Sequence, residues 1–167
     1  RRIQWPDGKS FAFTIFDDDK KIIHCQNHAL GEYYIDLDNR MRICVFGREF
    51  NYTVMQLVKE FGLENCSQRV QNLYKQGGAM LLQLVHVTHL VEPNIGKSGV
   101  PASFEYRETW WEDSTETPGQ VLRQKGFNEK PNIVARWEVT GNDPYGTSPG
   151  MDALGDVKQL QHEVKKK

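Results

Sequence analysis

Residues 80–91 form the longest β-forming segment of the sequence, and Pro93 follows closely. The segment is rich in β-branched side chains, which favour strands because they pack well on a pleated surface. Proline ends such a strand because it has no backbone N–H to contribute to the ladder. The sequence therefore predicts a fold built on a β-sheet.

Shorter segments of the same character lie at residues 10–17, 21–25, 32–36, 41–46, 104–112 and 133–139. Turn-forming residues separate them, as is typical of antiparallel sheets. The predicted hairpin between the third and fourth segments turns through Asp38 and Asn39, which tolerate positive φ. In the segment at 104–112, Glu108 and Trp110 share one side of the predicted strand, and Trp111 lies on the other.

Two short helices are predicted between the strands. Thr53 with Gln56 forms a capping box, and Gly62 ends the first helix. Ser67 opens the second helix, which Gly77 ends. Their apolar faces are predicted to contain, in turn, Val54, Leu57, Val58 and Phe61, and then Val70, Leu73 and Tyr74.

The C-terminal residues change from turn-forming to helical. Residues 141–150 are rich in Gly and Pro, and Pro149 suits the first position of a helix. Beyond them an apolar stripe at helical spacing contains Leu154, Val157, Leu160 and Val164. The predicted fold is α+β, a strand-rich and mostly antiparallel domain over residues 1–140, followed by a turn and the start of a longer helix over 141–167. Since the chain lacks an initiator Met and stops within a helical pattern, we expect it to be a fragment of a longer protein.

Composition narrows the classes of function. The formal net charge of −1 excludes the strong overall basic charge of many nucleic-acid binders. No apolar run approaches the length of a membrane span, so no membrane partner is expected. Three widely spaced cysteines, Cys25, Cys44 and Cys66, are expected to be reduced and mostly buried.

An N-terminal group of acids and histidines suggests an alternative function. Asp17 and Asp18 follow a predicted strand in a pattern similar to the metal-dependent polysaccharide deacetylases, and His24 and His28 lie nearby. In that family a glycine follows the acids, whereas Asp19 stands here, and the His-x-x-x-His pair lies on a helix. The segment around His24 lacks helical periodicity. We therefore predict no metal, no cofactor and no catalytic residue, and keep a deacetylase-like hydrolase as the alternative.

Two further patterns suggest ligands without completing a site. Gly96-Lys97-Ser98 matches the end of a phosphate-binding loop, but the loop's first glycine is replaced by Val91. The aromatic residues of 104–112 suggest a stacking platform for single strands, yet the acids among them repel phosphate. A generic nucleic-acid or peptide-binding module is therefore a third hypothesis, which predicts salt-dependent binding.

Several short motifs occur in one order along the chain. They consist of Arg48-x-Phe50, Thr53-x-x-Gln56, Phe61-Gly62, Pro131, Arg136-Trp137, Tyr145-Gly146 and Pro149-Gly150, with a helix after the last of them. In this order the chain resembles the head-to-tail connector, or portal, proteins of podovirus-type phages, from residue 31 onward. Residues 1–30 match no motif of that family.

The resemblance implies a structural ring subunit and not an enzyme. In the family, copies close into a dodecamer at one capsid vertex, and double-stranded DNA passes through it without sequence-specific binding. The implied partners are further copies of the chain, the capsid, the terminase, and tail or adaptor proteins. The implied location is the virion, with the host cytoplasm during assembly. Exposed aromatics, above all Trp110 and Trp111, are the candidate contacts between subunits.

Overall fold

A computed structural model of the chain describes residues 10–18, 21–29, 31–96, 99–113, 119–139, 141 and 143–166; for residues 10–18 and 21–24 it describes the backbone alone. The chain separates into two compact units. The first contains the described residues up to Gly31, with Ile35–Ile43 and those from Pro131 onward, and the second contains Glu32–Tyr34 and Cys44–Lys130. These units do not follow the predicted division at residue 140, which stays a prediction.

The described residues contain eight strands and four α-helices. The strands are β1 (Ser10–Asp18), β2 (Lys21–His28), β3 (Tyr34–Leu37), β4 (Ile43–Thr53), β5 (Leu84–Pro93), β6 (Tyr106–Glu112), β7 (Gln120–Phe127) and β8 (Asn132–Arg136). The helices are α1 (Val54–Phe61), α2 (Gln68–Gln76), α3 (Pro149–Asp152) and α4 (Leu154–Lys166). The predicted α+β class is confirmed.

The first unit contains a three-stranded antiparallel sheet in the order β2-β1-β8. Phe13 pairs with Asn27 on one side and with Ile133 on the other. The first two predicted strands are confirmed and pair with each other, and the second continues to His28. The predicted strand at 133–139 is shorter, because the sheet pairing ends at Arg136.

A five-stranded sheet has the order β3-β4-β5-β6-β7, and the strands from β4 to β7 pair antiparallel. Its central strand β5 is the segment with the strongest predicted β character. It starts at Leu84 rather than Met80, because Gly78–Leu82 form a 3-10 helix. Strand β7 was not predicted, since its polar sequence buries only Leu122.

The two predicted helices of the second unit are confirmed with their caps. The Thr53 hydroxyl accepts a hydrogen bond from the Gln56 backbone N–H at 3.3 Å, and the Gln56 side chain accepts from the Thr53 N–H at 3.0 Å. Ser67 caps α2, and glycines follow both helices at their C-terminal ends. Tyr74 is more exposed than predicted, at 39%.

The turn of the third and fourth strands differs from its prediction. Met41, and neither Asp38 nor Asn39, takes the positive φ, at 60°. Asp38 instead accepts hydrogen bonds from the backbone N–H groups of Arg40 and Arg42, each at 2.8 Å. Hydrogen bonding to these groups, that of Arg42 most strongly, lowers the pKa of the Asp38 carboxyl. The side-chain acceptor thus organises the turn without leaving its own backbone in the left-handed region.

The core of the second unit lies between α1, α2 and one face of the sheet. Its buried members are Val54, Leu57, Phe61, Cys66, Val70, Val85, Val87, Trp110 and Leu122. All three cysteines are thiols, but only Cys66 is buried, while Cys44 is half-buried and Cys25 is exposed. The prediction of mostly buried cysteines was therefore wrong.

The C-terminal helices begin as predicted. The Ser148 hydroxyl accepts from the Met151 N–H at 3.3 Å, and Pro149 occupies the first turn. The helical path breaks at Ala153 before α4. Every described residue of α4 is exposed, including its apolar stripe. No helix in the described part of the chain is long and apolar enough to cross a membrane.

Candidate functional site

Strand β6 places two carboxylates in the interior of the second unit. Glu108, Trp110 and Glu112 alternate along the strand and therefore share one face. They are only 7%, 5% and 1% exposed. A buried carboxylate is costly unless hydrogen bonds or charges stabilise it, so the partners of these two acids define a candidate structural site.

The Glu112 carboxylate binds the N-terminus of α2. It accepts from the Ser67 hydroxyl at 2.6 Å and from the Ser67 backbone N–H at 3.2 Å. The same hydroxyl accepts from the Val70 N–H at 3.3 Å and so caps the helix. The positive end of the helix dipole and the backbone donors there favour a negative charge. This arrangement attaches α2 to the sheet across 45 residues of sequence.

The thiol of Cys66 lies beside this contact. Its Sγ donates to the Gly62 carbonyl at 3.2 Å. Burial, with a smaller contribution from the charge of Glu112, raises the pKa of Cys66 to about 11. The thiol therefore stays protonated at neutral pH and is a poor nucleophile.

The second buried carboxylate, Glu108, pairs with a histidine of the neighbouring strand. Oε1 of Glu108 lies 2.8 Å from Nε2 of His89, and both side chains are buried. The imidazole ring also stacks on Trp110, with ring centroids 4.0 Å apart. Histidine and tryptophan are partners in the β5–β6 register, so the strand pairing itself brings these groups together.

The pKa of Glu108 is lowered despite its burial. Burial has the largest single effect and opposes ionisation, but the hydrogen bond and charge of His89 act against it. The charge of the Arg123 guanidinium adds a smaller effect in the same direction as His89. An ionised carboxylate accepts hydrogen bonds only, so Nε2 of His89 carries the proton of this contact.

Trp110 is the centre of an aromatic cluster formed by motif residues. Phe50 meets its ring edge-on at 5.8 Å, and Phe61 packs at 5.5 Å. With 5% of its surface exposed, Trp110 offers little area to a neighbouring subunit. Trp111 is half-buried and on the opposite side of β6, and its role as a subunit contact stays a proposal.

Two arginines lie over these aromatic rings. The guanidinium of Arg48 lies 4.9 Å from the Phe50 ring centroid, and burial lowers its pKa. The guanidinium of Arg123 lies 4.9 Å from the Phe61 centroid and 5.4 Å from that of Trp110. The motif Arg48-x-Phe50 thus contributes a cation and a ring to one packed cluster.

The first unit contains the second group of motif residues. Nη2 of Arg136 donates to the Met41 carbonyl at 2.9 Å, and Nη1 donates to the Pro144 carbonyl at 3.4 Å. One guanidinium therefore connects the positive-φ hairpin residue with the turn that precedes α3. Trp137, which follows it, is 57% exposed.

Gly146 occupies a position that accepts only glycine. Its φ is +76°, and a Cβ there would lie 2.3 Å from the Glu138 carbonyl oxygen. The close approach accompanies a two-way backbone bridge, in which Thr147 N–H donates to Glu138 at 2.8 Å and Glu138 N–H donates back at 3.3 Å. Tyr145-Gly146 thus turns the chain between β8 and the Ser148 cap.

The other motif positions have simpler surroundings. Pro149 and Gly150 lie in the exposed first turn of α3, and Pro131 is a half-buried bend just before β8. Their part in function stays a proposal.

The alternative metal site has only part of its residues described. His24 and His28 lie on β2, where four residues span roughly 13 Å, too far for one shared ion. The side chains of Asp17, Asp18 and His24 lie outside the described part, as do Asp19, Lys97 and Ser98. Among the side chains that the structure describes, no three His, Cys, Asp or Glu are grouped to hold a metal.

Sequence reasoning missed the buried carboxylates. The acids of 104–112 were interpreted as groups that repel phosphate, whereas Glu108 and Glu112 are interior groups with structural partners. Their positions in the sequence could have indicated this burial, because both lie two residues from Trp110 and therefore share its face of the strand.

The chain is similar to phage proteins over nearly its whole length. A family model described as "Bacteriophage head to tail connecting protein" matches residues 10–167. A "Probable portal protein" of Bordetella phage BPP-1 is 39% identical over 96% of this chain and 29% of its own length. A "Portal protein" of Salmonella phage epsilon15 is 38% identical over 93% of this chain and 28% of its own length. The chain thus spans less than a third of these relatives.

We predict that Glu108→Gln lowers the free energy of unfolding at neutral pH by roughly 1–3 kcal/mol, because a charge-assisted buried hydrogen bond is lost. The pKa of Glu108 in the folded state lies below the unfolded value of about 4.3, so its stabilisation is present above that pH and is lost as the pH falls through the folded-state pKa. The stability difference between wild type and variant should therefore shrink in acid.

Urea unfolding followed by tryptophan fluorescence at several pH values measures this difference. Glu105→Gln is the control, because it removes an exposed carboxyl group just before the same strand. A constant difference between wild type and Glu108→Gln from neutral to acid pH would contradict the assignment.

We also predict that Gly146→Ala lowers the free energy of unfolding more than Gly141→Ala does. Both glycines have positive φ, but a Cβ at Gly141 meets nothing within 4 Å. The Gly141 variant should lose about 1 kcal/mol through backbone strain, and the Gly146 variant about 1–3 kcal/mol more through the clash with the Glu138 carbonyl. Equal losses in thermal unfolding would show that the close approach has no energetic role.

Proposed function

The chain belongs to the family of bacteriophage head-to-tail connecting proteins, and from this membership we propose that it is part of a structural subunit of the phage portal. In this proposal, copies of the complete protein close into a ring, a dodecamer, at one vertex of the capsid. Double-stranded DNA is packaged into the capsid through the ring and is ejected through it, without sequence-specific binding.

The observation that supports this function most strongly is similarity over almost the whole chain to two portal proteins. The interior of the second unit agrees with a structural role. Ser67 binds one of its two buried carboxylates and His89 binds the other. These contacts hold helix α2 and strand β5 against strand β6. Buried contacts of this kind fix the elements of a subunit in place, and a subunit that assembles into a ring requires such rigidity.

The proposed partners follow from the place of a portal in the virion. They are other copies of the chain, the capsid, the terminase, and tail or adaptor proteins. Assembly takes place in the host cytoplasm, and the finished ring is a component of the virion. We propose that the motif residues around Trp110 and Gly146 maintain the body of the subunit, and that Trp111 contributes to a contact between subunits.

Negative-stain electron microscopy of the complete protein, purified without other phage components, tests this function. We expect closed rings with a central hole, and native mass spectrometry should give twelve copies per ring, as the family resemblance implies. A folded monomer that forms no rings at high protein concentration would contradict the proposal. Trp111→Ala, compared with an exposed control such as Tyr74→Ala, should selectively weaken the rings.

A further inference from the structure

Helix α4 has an unusual distribution of side chains around its axis. All of its described residues are exposed, and its apolar residues are 45–66% exposed. An isolated helix of 13 residues is marginally stable in water. The apolar stripe therefore needs a surface to pack against.

Charged residues flank this stripe with opposite signs. At about 100° per residue, side chains follow around the helix in the order acidic, apolar, basic. The acidic flank contains Asp156 and Glu163, and the basic flank contains Lys158 and Lys165. Asp156 and Glu163 lie roughly 160° from Lys158 and Lys165, so the two flanks face nearly opposite sides.

The spacing of the charges is the same on both flanks. Asp156 and Glu163 are seven residues apart, and so are Lys158 and Lys165. Each pair therefore spans about 10.5 Å along the axis, and the two pairs are offset by about 3 Å. Two parallel copies of α4 side by side can form both acid–base contacts at once.

The charges are poorly placed to stabilise a single helix. Opposite charges support an isolated helix when they lie three or four residues apart. Asp156, Lys158 and Lys165 have no opposite charge at those positions within α4. Glu163 has Lys166 three residues further on, but the other three charges can find opposite partners only on a second helix.

We infer that α4 packs in parallel against α4 of the neighbouring subunit, with the acidic flank of one copy against the basic flank of the next. The inference rests on the proposed ring, because a closed ring of parallel subunits needs two different, complementary sides on each copy. Asp156 meets Lys158 of the next copy, and Glu163 meets its Lys165. Leu160 and Leu154, at the edges of the apolar stripe, lie beside these contacts.

Charge reversal in the complete protein tests the inference. Asp156→Lys with Glu163→Lys should raise the protomer concentration at half-assembly by roughly ten- to a hundredfold, since two attractions per interface become repulsions. Lys158→Glu with Lys165→Glu should do the same. The fourfold swap restores opposite charges across the interface and should restore the rings. Mass photometry and electron microscopy measure the assembly.

A matched control separates local pairing from total charge. Glu64→Lys with Glu105→Lys, at exposed positions of the second unit, changes the net charge by the same amount as the reversal of Asp156 and Glu163, and should leave the rings intact. Circular dichroism shows whether each variant folds. Recovery in the fourfold variant distinguishes a lost contact from a misfolded subunit.

Other outcomes would overturn the inference while the wild-type rings preserve the proposed function. Rings that tolerate either reversal would exclude the pairing. Disruption without recovery in the swap would show that the flanks contact another segment of the polypeptide. Intact rings that lose salt-sensitive binding of a short DNA duplex when the lysines are reversed would assign the basic flank to DNA. If the wild type forms no rings, the proposed function fails first.

Discussion

The contact between Glu112 and Ser67 is the constraint on which the helical layer of the second unit depends. A carboxylate with 1% exposure is tolerated because a hydroxyl, a backbone N–H and the N-terminus of α2 all stabilise its charge. An apolar core alone leaves the register of a helix on a sheet loosely defined, since hydrophobic contact has no direction. The two hydrogen bonds define where α2 starts, and Val70, one turn later, is completely buried as a result.

Glu108 has a comparable role within the sheet. Its contact with His89 places the imidazole flat on Trp110, where Phe50 and Phe61 also pack. Residues that belong to separate family motifs in the sequence thus form one cluster in the structure. The motif residues of the first unit have a comparable role, because Arg136 and Gly146 organise the turn before the C-terminal helices.

The features that depend on neighbouring residues in the sequence were predicted from the sequence. Caps at Thr53 and Ser67 and the glycine ends of α1 and α2 were predicted correctly, because their signals lie within one helical turn. The start of β5 and the whole of β7 were not predicted correctly, because a 3-10 helix occupies the first residues of the predicted segment and the polar sequence of β7 lacks a buried apolar pattern. The partner of Glu112 lies 45 residues away, so no spacing rule indicates it. Met41 takes positive φ because the Asp38 carboxylate binds the turn's N–H groups, which composition alone does not show.

A double-mutant cycle on Ser67→Ala and Glu112→Ala tests the central role of this contact most directly. Urea unfolding of wild type, both single variants and the double variant gives their coupling energy. The exposed pair Gln68→Ala with Asn72→Ala is the reference cycle, because the Gln68 amide donates to the Asn72 side-chain oxygen at 3.1 Å on the surface of the same helix. We expect a coupling of about 2 kcal/mol or more for the buried pair and about 0.5 kcal/mol for the exposed one. A coupling for Ser67 and Glu112 no larger than the reference would show that α2 is held by apolar packing alone.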